Sequence, residues 1–209
     1  MHKKDDDTMS NDGTVKVWDL FIRLFHWTLV AGFATAYVSG ELYASEIHTL
    51  AGYALCILLI ARIYWGFRGG RYARFRSFFF PPGETLAYVR SMFIGHPKHY
   101  LGHNPAGALM VFTLLCMMIA LLATGLATLA AIDFEGPLLF IANLVGDETA
   151  YAFRHLHEFL SGIALTLVAL HIGGAVLGSI QHRENLVKAM FTGRKAAPPI
   201  SENRTRDIE

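Results

Sequence analysis

The chain has 209 residues, of which 53% are hydrophobic and only 17% are charged, and its mean hydropathy is +0.36. Soluble domains carry about 25% charged residues, so this composition favours a membrane protein. The net charge of +1 gives no electrostatic reason to expect a nucleic-acid partner. The two cysteines, Cys56 and Cys116, lie in apolar runs, which indicates packing residues rather than a disulfide framework.

Four apolar segments follow a polar, acidic N-terminus, MHKKDDDTMSNDG, that lacks the apolar core of a signal peptide. We therefore expect the first apolar segment to be retained. A membrane-spanning helix needs about 20 mainly apolar residues, and each segment is long enough. Helices satisfy their own backbone hydrogen bonds in lipid, and no strand-like alternation competes with them. The predicted fold class is all-α, an integral membrane four-helix bundle. The predicted spans are 20–39, 48–66, 105–131 and 154–180.

The distribution of lysine and arginine predicts the orientation of the bundle. The links 40–47 and 132–153 contain neither residue, whereas the middle link and both ends of the chain are rich in them. The positive-inside rule therefore predicts that both termini are cytoplasmic. We expect the polar chain after Gly193 to be flexible. The predicted organisation is a cytoplasmic N-terminal tail (1–17), a transmembrane domain (18–182) and a cytoplasmic C-terminal tail (183–209).

The long cytoplasmic loop, 67–104, alternates basic with aromatic residues before Pro81, Pro82 and Gly83 interrupt it. The stretch 84–94 is predicted to form a short amphipathic helix on the membrane surface. Its aromatic and arginine side chains suit the headgroup layer. The loop is thus either membrane-surface packing, which we favour, or a docking site or quinone entrance.

Four histidines fall at two matched depths of the predicted bundle. His157 and His171 are 14 residues apart, which corresponds to about 21 Å of helix and nearly the same face. His48 begins the second segment at the outer end, level with His157. His26 lies 14 residues before Gly40, at about the depth of His171. The spacing therefore predicts an outer pair, His48 with His157, and an inner pair, His26 with His171.

The chemistry of imidazole suggests what such pairs bind. Ionisable residues inside a membrane are functional candidates by default. A neutral imidazole nitrogen is a good axial ligand to haem iron, and two of them fill both axial positions, which suits electron transfer. For a single histidine, a hydrogen bond across helices is an equally good explanation. Four histidines at matched depths favour two bis-histidine haems.

Glycines near the histidines would give a porphyrin ring the space it needs. Gly52 lies one turn after His48 and is the first candidate for cofactor contact. Ordinary packing of small residues between membrane helices explains any single glycine as well. Other glycines close to the predicted ligands are Gly32, Gly162, Gly173 and Gly174.

Two arginines are candidates for binding the haem propionates. Arg62 lies 14 residues after His48, on the same face near the cytoplasmic end. Arg23 lies about one turn before His26. The planar guanidinium suits carboxylates. The alternative is that both side chains only extend to the membrane interface.

Other polar residues have weaker indications. Glu158 and His155 are candidates for moving protons at the outer surface. His155 lies about 200° around the helix from His157, so it cannot share that face. His103 could serve a quinone or a haem propionate, although a helix-start cap is the favoured interpretation. The histidines predicted to lie at the surface are His2, His96, His99 and His182.

The strings RLFHW around His26 and HEFLSGIALTLVALH from His157 to His171, with His48 opening the second segment, resemble the bacterial cytochrome b-561 and nickel–iron hydrogenase b-type cytochrome family. The resemblance covers about residues 15–195. The strings WGFRGGRYARF, GHNPAGALM and HRENLVKAMFTGRK are similar to its hydrogenase-like branch. The resemblance implies haem b with axial ligands at the same four histidines. No CxxCH attachment motif occurs, so both haems are expected to be non-covalent.

The expected function is that of a di-haem b-type cytochrome of the bacterial cytoplasmic (inner) membrane. Such a protein transfers electrons between the quinone pool, ubiquinone or menaquinone, and a redox partner such as a c-type cytochrome or a hydrogenase-like complex. One alternative is a self-sufficient quinol-dependent oxidoreductase that reduces a small periplasmic acceptor such as superoxide or ferric iron. Another is a haem-free transporter whose histidines relay protons or bind metal. Membrane lipid is the one partner that composition alone predicts.

Overall fold

Six α-helices and a two-stranded sheet make up the part of the chain that the computed structural model describes, residues 13–95 and 97–196. The strands are β1 (Thr14–Lys16) and β2 (Arg194–Ala196). The helices are α1 (Leu20–Glu41), α2 (Ser45–Arg68), α3 (Pro82–Ile94), α4 (Pro105–Ile132), α5 (Asp147–Gln181) and α6 (Leu186–Thr192).

Four of these helices, α1, α2, α4 and α5, are long and apolar enough to cross a membrane. They match the four predicted spans, and the all-α membrane bundle is confirmed. Helix α5 begins seven residues before the predicted span. Its first turn carries Asp147 and Glu148, and carboxylates are favoured at a helix N-terminus. Hydropathy predicts only the apolar part of a helix that lies in lipid. The residue at which the helix begins depends on its cap and on the charges in its first turn.

Side-chain caps determine where α1 and α4 start. The Asp19 carboxylate accepts a hydrogen bond from the Ile22 amide at 2.8 Å. The Asn104 side chain accepts one from the Gly107 amide at 2.7 Å, and Pro105 occupies the first turn. The cap of α4 is thus Asn104, and the capping role expected of His103 is wrong. The helix predicted over 84–94 is present as α3, and its position on the membrane surface stays a prediction.

The bundle consists of two helical hairpins. Helix α1 packs closely along α2, and α4 packs closely along α5. Between the hairpins the main approach is that of α2 to α4, while α1 and α5 are not among the closely packed pairs. The histidine-bearing helices α1 and α5 therefore face each other through side chains rather than through close backbone contact.

A short antiparallel sheet joins the two ends of the described chain, with Val15 opposite Lys195. Gly193, at φ +78°, allows this closure, because a Cβ there would lie 2.6 Å from the Trp18 carbonyl oxygen. The expectation of a flexible chain directly after Gly193 is therefore wrong for 194–196. Strands of three residues are too short to show a periodic pattern. The predicted C-terminal tail also contains α6, while residues 1–12 and 197–209 lie outside the described residues.

Candidate functional site

Two histidine pairs lie one above the other between the hairpins. The rings of His48 and His157 have centroids 5.9 Å apart, and those of His26 and His171 are 6.4 Å apart. We keep the names outer pair for His48/His157, near the α1–α2 and α4–α5 links, and inner pair for His26/His171, near the chain termini. The structure thus brings together the partners that helix geometry predicts, while their role as iron ligands stays a prediction.

The outer pair is held in place by hydrogen bonds to backbone carbonyls. Nδ1 of His48 lies 2.8 Å from the Ala36 carbonyl oxygen on α1. Nδ1 of His157 lies 3.0 Å from the Leu121 carbonyl oxygen on α4, with the Thr124 hydroxyl at 3.2 Å. A carbonyl can only accept, so Nδ1 carries the proton in each ring. Nε2 therefore keeps its lone pair, which is the arrangement that second-shell hydrogen bonds impose on metal-binding histidines.

The inner pair has a different environment. Nδ1 of His26 is buried and has no hydrogen-bond partner, and the ring packs edge-on against Trp27 at 5.0 Å. Burying a polar atom without a partner costs free energy. The ring is thus placed for a partner that the described protein groups do not supply.

Both ring separations fit a single metal atom between two imidazoles. A metal–imidazole bond of about 2 Å and a ring half-width of about 1 Å, each counted twice, give a centroid separation of about 6 Å. The observed 5.9 Å and 6.4 Å agree with that sum. Among the described residues, no group of three or more His, Cys, Asp or Glu side chains converges. Each site therefore offers two imidazoles, the donor set of a bis-histidine haem.

A cavity lies beside the outer pair, between α1, α2, α4 and α5. About 710 Å³ of space there is free of atoms, including open space at its mouth. Gly52 lines this cavity, and a Cβ added to it would meet nothing within 4 Å. At Gly32, by contrast, a Cβ would lie 3.0 Å from Leu55, so this glycine serves helix packing. The remaining predicted glycines are open, with no atom within 4 Å of an added Cβ: Gly162, Gly173 and Gly174.

Two further glycines allow close approach to the outer imidazoles. A Cβ at Gly125 would lie 3.0 Å from His157, and one at Gly40 would lie 3.2 Å from His48. Neither close approach was predicted from the sequence. Glycine in a membrane helix is common where another group approaches closely. It does not indicate what approaches, because that depends on how the helices pack.

Arg62 is buried inside the bundle, with only 4% of its surface exposed. Its guanidinium carbon lies 4.8 Å from the centre of the Phe75 ring, and Nη1 has no hydrogen-bond partner. The alternative that Arg62 extends to the membrane interface therefore does not describe its position. Asp19 attracts it electrostatically, but that carboxylate already caps α1 and accepts a hydrogen bond from Trp65 Nε1 at 2.9 Å.

Arg23 joins α1 to α6. Its Nη1 donates a hydrogen bond to the Phe191 carbonyl, whereas its Nε is buried without a partner. Trp27, one turn further on, stacks on the Phe191 ring at 4.3 Å. Nη1 of Arg23 thus holds α6 against α1, whereas the buried Nε is available to donate a hydrogen bond to a ligand.

His103 lies just before α4, with its ring between those of Trp18 and Phe78, each with its centroid 4.7 Å away. Its Nδ1 is shielded from solvent and has no partner. Burial, and secondarily the positive charge of Arg62, lowers the pKa of His103 to about 3. The imidazole is therefore neutral at physiological pH and can donate from one ring nitrogen while accepting at the other.

His155 and Glu158 lie on the outside of α5. The His155 side chain is 76% exposed, and the Glu158 carboxylate accepts a hydrogen bond from Arg154 Nε at 2.9 Å. It is His157, and not His155, that faces His48. Their predicted role in moving protons stays a prediction.

Two groups near the inner end of the bundle are partly or fully buried. His182 is partly buried, with its ring 5.2 Å from that of His99 and its Nε2 3.5 Å from the Tyr88 hydroxyl. Burial lowers the pKa of His182. Lys195 is buried in an ion pair with Glu184 at 3.3 Å. His182 is thus only partly exposed, the surface position predicted for His99 is confirmed, and His2 and His96 lie outside the described residues.

Known proteins with similar sequences share one description. A protein of Rhodobacter capsulatus is 24% identical over 225 residues, covering 92% of this chain and 86% of its own. One of Azotobacter vinelandii is 26% identical over 214 residues, covering 86% and 87%. Both are named probable Ni/Fe-hydrogenase B-type cytochrome subunits. A protein of Escherichia coli, named a probable Ni/Fe-hydrogenase 1 B-type cytochrome subunit, is 28% identical over 155 residues, 61% of this chain and 63% of its own.

The match to a protein family extends well beyond the four histidines. The sequence model of the family described as prokaryotic cytochrome b561 matches residues 17–193. That range runs from just before α1 to the end of α6 and includes all four membrane helices and both histidine pairs. The chain therefore belongs to the prokaryotic cytochrome b561 family and is a multi-pass membrane b-type cytochrome that carries haem b and acts in electron transfer.

Proposed function

We propose that the chain holds two non-covalent haem b groups, one at the outer pair and one at the inner pair. It passes electrons between the quinone pool and a redox partner in the bacterial inner membrane, with both termini in the cytoplasm. The observation that carries this proposal is the presence of two imidazole pairs, each with the spacing of one metal atom, at two levels of the bundle.

Different residues of the chain would bind the haem iron, orient the axial ligands and contact the propionates. His26, His48, His157 and His171 are the proposed axial ligands. The carbonyls of Ala36 and Leu121 orient the outer rings by accepting their Nδ1 protons. Haem b, when bound, supplies a one-electron ferric/ferrous couple. Gly52 leaves space beside the outer pair, and the buried donors of Arg23 and Arg62 are available to propionates.

The proposed partners rest on the relatives and on the resemblance. The relatives are named as subunits of Ni/Fe-hydrogenases, which supports a hydrogenase-like complex as the redox partner of this chain. A soluble c-type cytochrome would be the partner if no such complex forms. Ubiquinone or menaquinone is the proposed exchange partner in the membrane, because it is the lipid-soluble carrier that the family resemblance implies.

Haem content tests the proposal directly. We expect the purified, folded chain to show the sharp visible bands of reduced bis-histidine haem b, two haems per chain and a redox titration with two steps. Oxidation of an added quinol analogue should reduce both haems. A folded but colourless protein, or a ratio of one haem per chain, would overturn the two-haem proposal.

Replacing Arg62 tests its proposed effect on the inner haem. We expect Arg62→Leu to lower the midpoint potential of the inner haem alone. Removing a buried positive charge disfavours the more negative, reduced state, and a tenfold change in a one-electron equilibrium corresponds to about 59 mV. Potentiometric titration followed in the visible spectrum measures both steps. Arg62→Lys keeps the charge and should keep most of the potential, whereas two unchanged steps in Arg62→Leu would reject this role.

A further inference from the structure

Two unpartnered buried donors flank one aromatic wedge at the inner end of the bundle. The wedge is the 3₁₀ turn Phe75–Phe78, whose terminal rings lie 6.0 Å apart. Arg62 lies over the Phe75 ring at 4.8 Å, and His103 packs against the Phe78 ring at 4.7 Å. The wedge thus links the guanidinium on α2 to the imidazole just before α4.

Close packing on both sides fixes the position of this wedge. A Cβ at Gly66, one turn after Arg62, would fall within 2.1 Å of the Phe75 ring, so only glycine admits that ring beside α2. On the other side, Phe78 is almost fully buried and packs 5.4 Å from Phe112 of α4. The positions of Arg62 and His103 are therefore set by packing, and neither side chain is a freely moving surface group.

Arg62 has no direct partner among the described residues at one of its terminal nitrogens, although Asp19 attracts it electrostatically. Arg62 is 96% buried, has no ion pair within 4 Å among the described residues, and leaves Nη1 unpartnered. Asp19 uses its two oxygens on the Ile22 amide and on Trp65, and Glu184 is paired with Lys195. A buried donor without a partner costs about 1–3 kcal/mol, and more when the group is charged. A bound carboxylate would supply that partner through a charge-assisted hydrogen bond.

We propose that Arg62 Nη1 and His103 Nδ1 together bind one carboxylate, and that this carboxylate is a propionate of the haem at the inner pair. The inference rests on the proposed function, because it requires a haem between His26 and His171. Arg62 and, more weakly, His171 act electrostatically on His103, which is consistent with a donor site on the inner-pair side of the bundle. A neutral His103 donates one hydrogen bond to the carboxylate, while Arg62 supplies the charge. His103 is thus a positioning residue for the cofactor.

Haem dimethyl ester provides the test, because its propionates are blocked and its iron is unchanged. We expect wild-type chain reconstituted with the ester to release the inner haem at least about tenfold faster than with native haem, as expected for losing a charge-assisted hydrogen bond. His103→Phe keeps the aromatic packing and should cause a similar acceleration with native haem. With the ester, the same substitution should add no further effect. Release is followed by transfer of haem to apomyoglobin.

Several results would overturn the inference. The ester and native haem could leave the inner site equally fast, or His103→Phe could speed release of both forms by the same factor, which would indicate a structural role. Added acetate could shift the inner potential identically with both haems, which would indicate a free carboxylate instead. His155→Phe, at an exposed position, is the matched control and should match wild type. If no haem binds at the inner pair at all, this inference and the two-haem proposal are both overturned, whereas the results above overturn this inference alone.

Discussion

His171→Ala is expected to remove the inner haem and to leave the outer one partly loaded, so that the haem content of the purified chain falls to one per chain or less. His171 is the only described histidine opposite His26, at 6.4 Å, and the outer pair draws its ligands from other positions. Loss of one of two axial ligands leaves the iron bound from one side only. Haem per protein, measured from the pyridine haemochrome spectrum, gives the answer.

The control for this change lies on the same helix. His155→Ala alters an exposed imidazole that faces away from both pairs, and it should leave the haem content unchanged. A variant His171→Ala that keeps both haems would show that His171 is not a ligand. Loss of both haems from a folded variant would show that the two sites are not independent, and would count against separate pairs.

Gly52→Leu is expected to exclude the outer haem while leaving the inner haem in place. Gly52 lines the cavity beside the outer pair, and an added Cβ meets no atom within 4 Å. A leucine at this position therefore starts from an uncrowded Cβ and extends into apolar space that the cofactor would need. Burying its side chain is worth about 1–2 kcal/mol, so the unfolding temperature of the haem-free chain should stay equal or rise.

Haem content and thermal unfolding separate this effect from a folding defect. Gly83→Leu introduces the same side chain at another open position, on α3 outside the bundle, and should retain both haems. A less stable Gly52→Leu protein would mean that the substitution disturbs helix packing. Full loading of both sites would mean that the cavity beside Gly52 is not where the outer haem lies.

Regular helix geometry explains why so much of the site was predictable. Every α-helix has the same rise and rotation per residue. The 14-residue interval from His157 to His171 therefore gives both the difference in depth and the relative direction of the two side chains. Lipid then forces the four spans to lie side by side, so depths on different helices can be compared. The pairs at 5.9 Å and 6.4 Å follow from those two rules.

The groups that support the histidines were not predictable in the same way. The carbonyl oxygens of Ala36 and Leu121 accept the Nδ1 protons of the outer pair, yet every residue has a carbonyl and no sequence pattern distinguishes these two. Gly125 approaches His157 only because α4 lies against α5 at that level. His103 is buried because the aromatic turn Phe75–Phe78 folds back beneath it. Each of these contacts depends on which helices and turns pack together in the folded chain.

The amino-acid sequence alone determined the number of membrane helices, the depth and face of the four histidines, and hence their pairing. Those properties follow from composition and from the local repeat of the α-helix. The tertiary structure alone decided that β1 pairs with β2, that Lys195 is buried against Glu184, and that Arg62 and His103 share one aromatic wedge. These are contacts between segments far apart in the chain, and their residues carry no local signal of the partner they will meet.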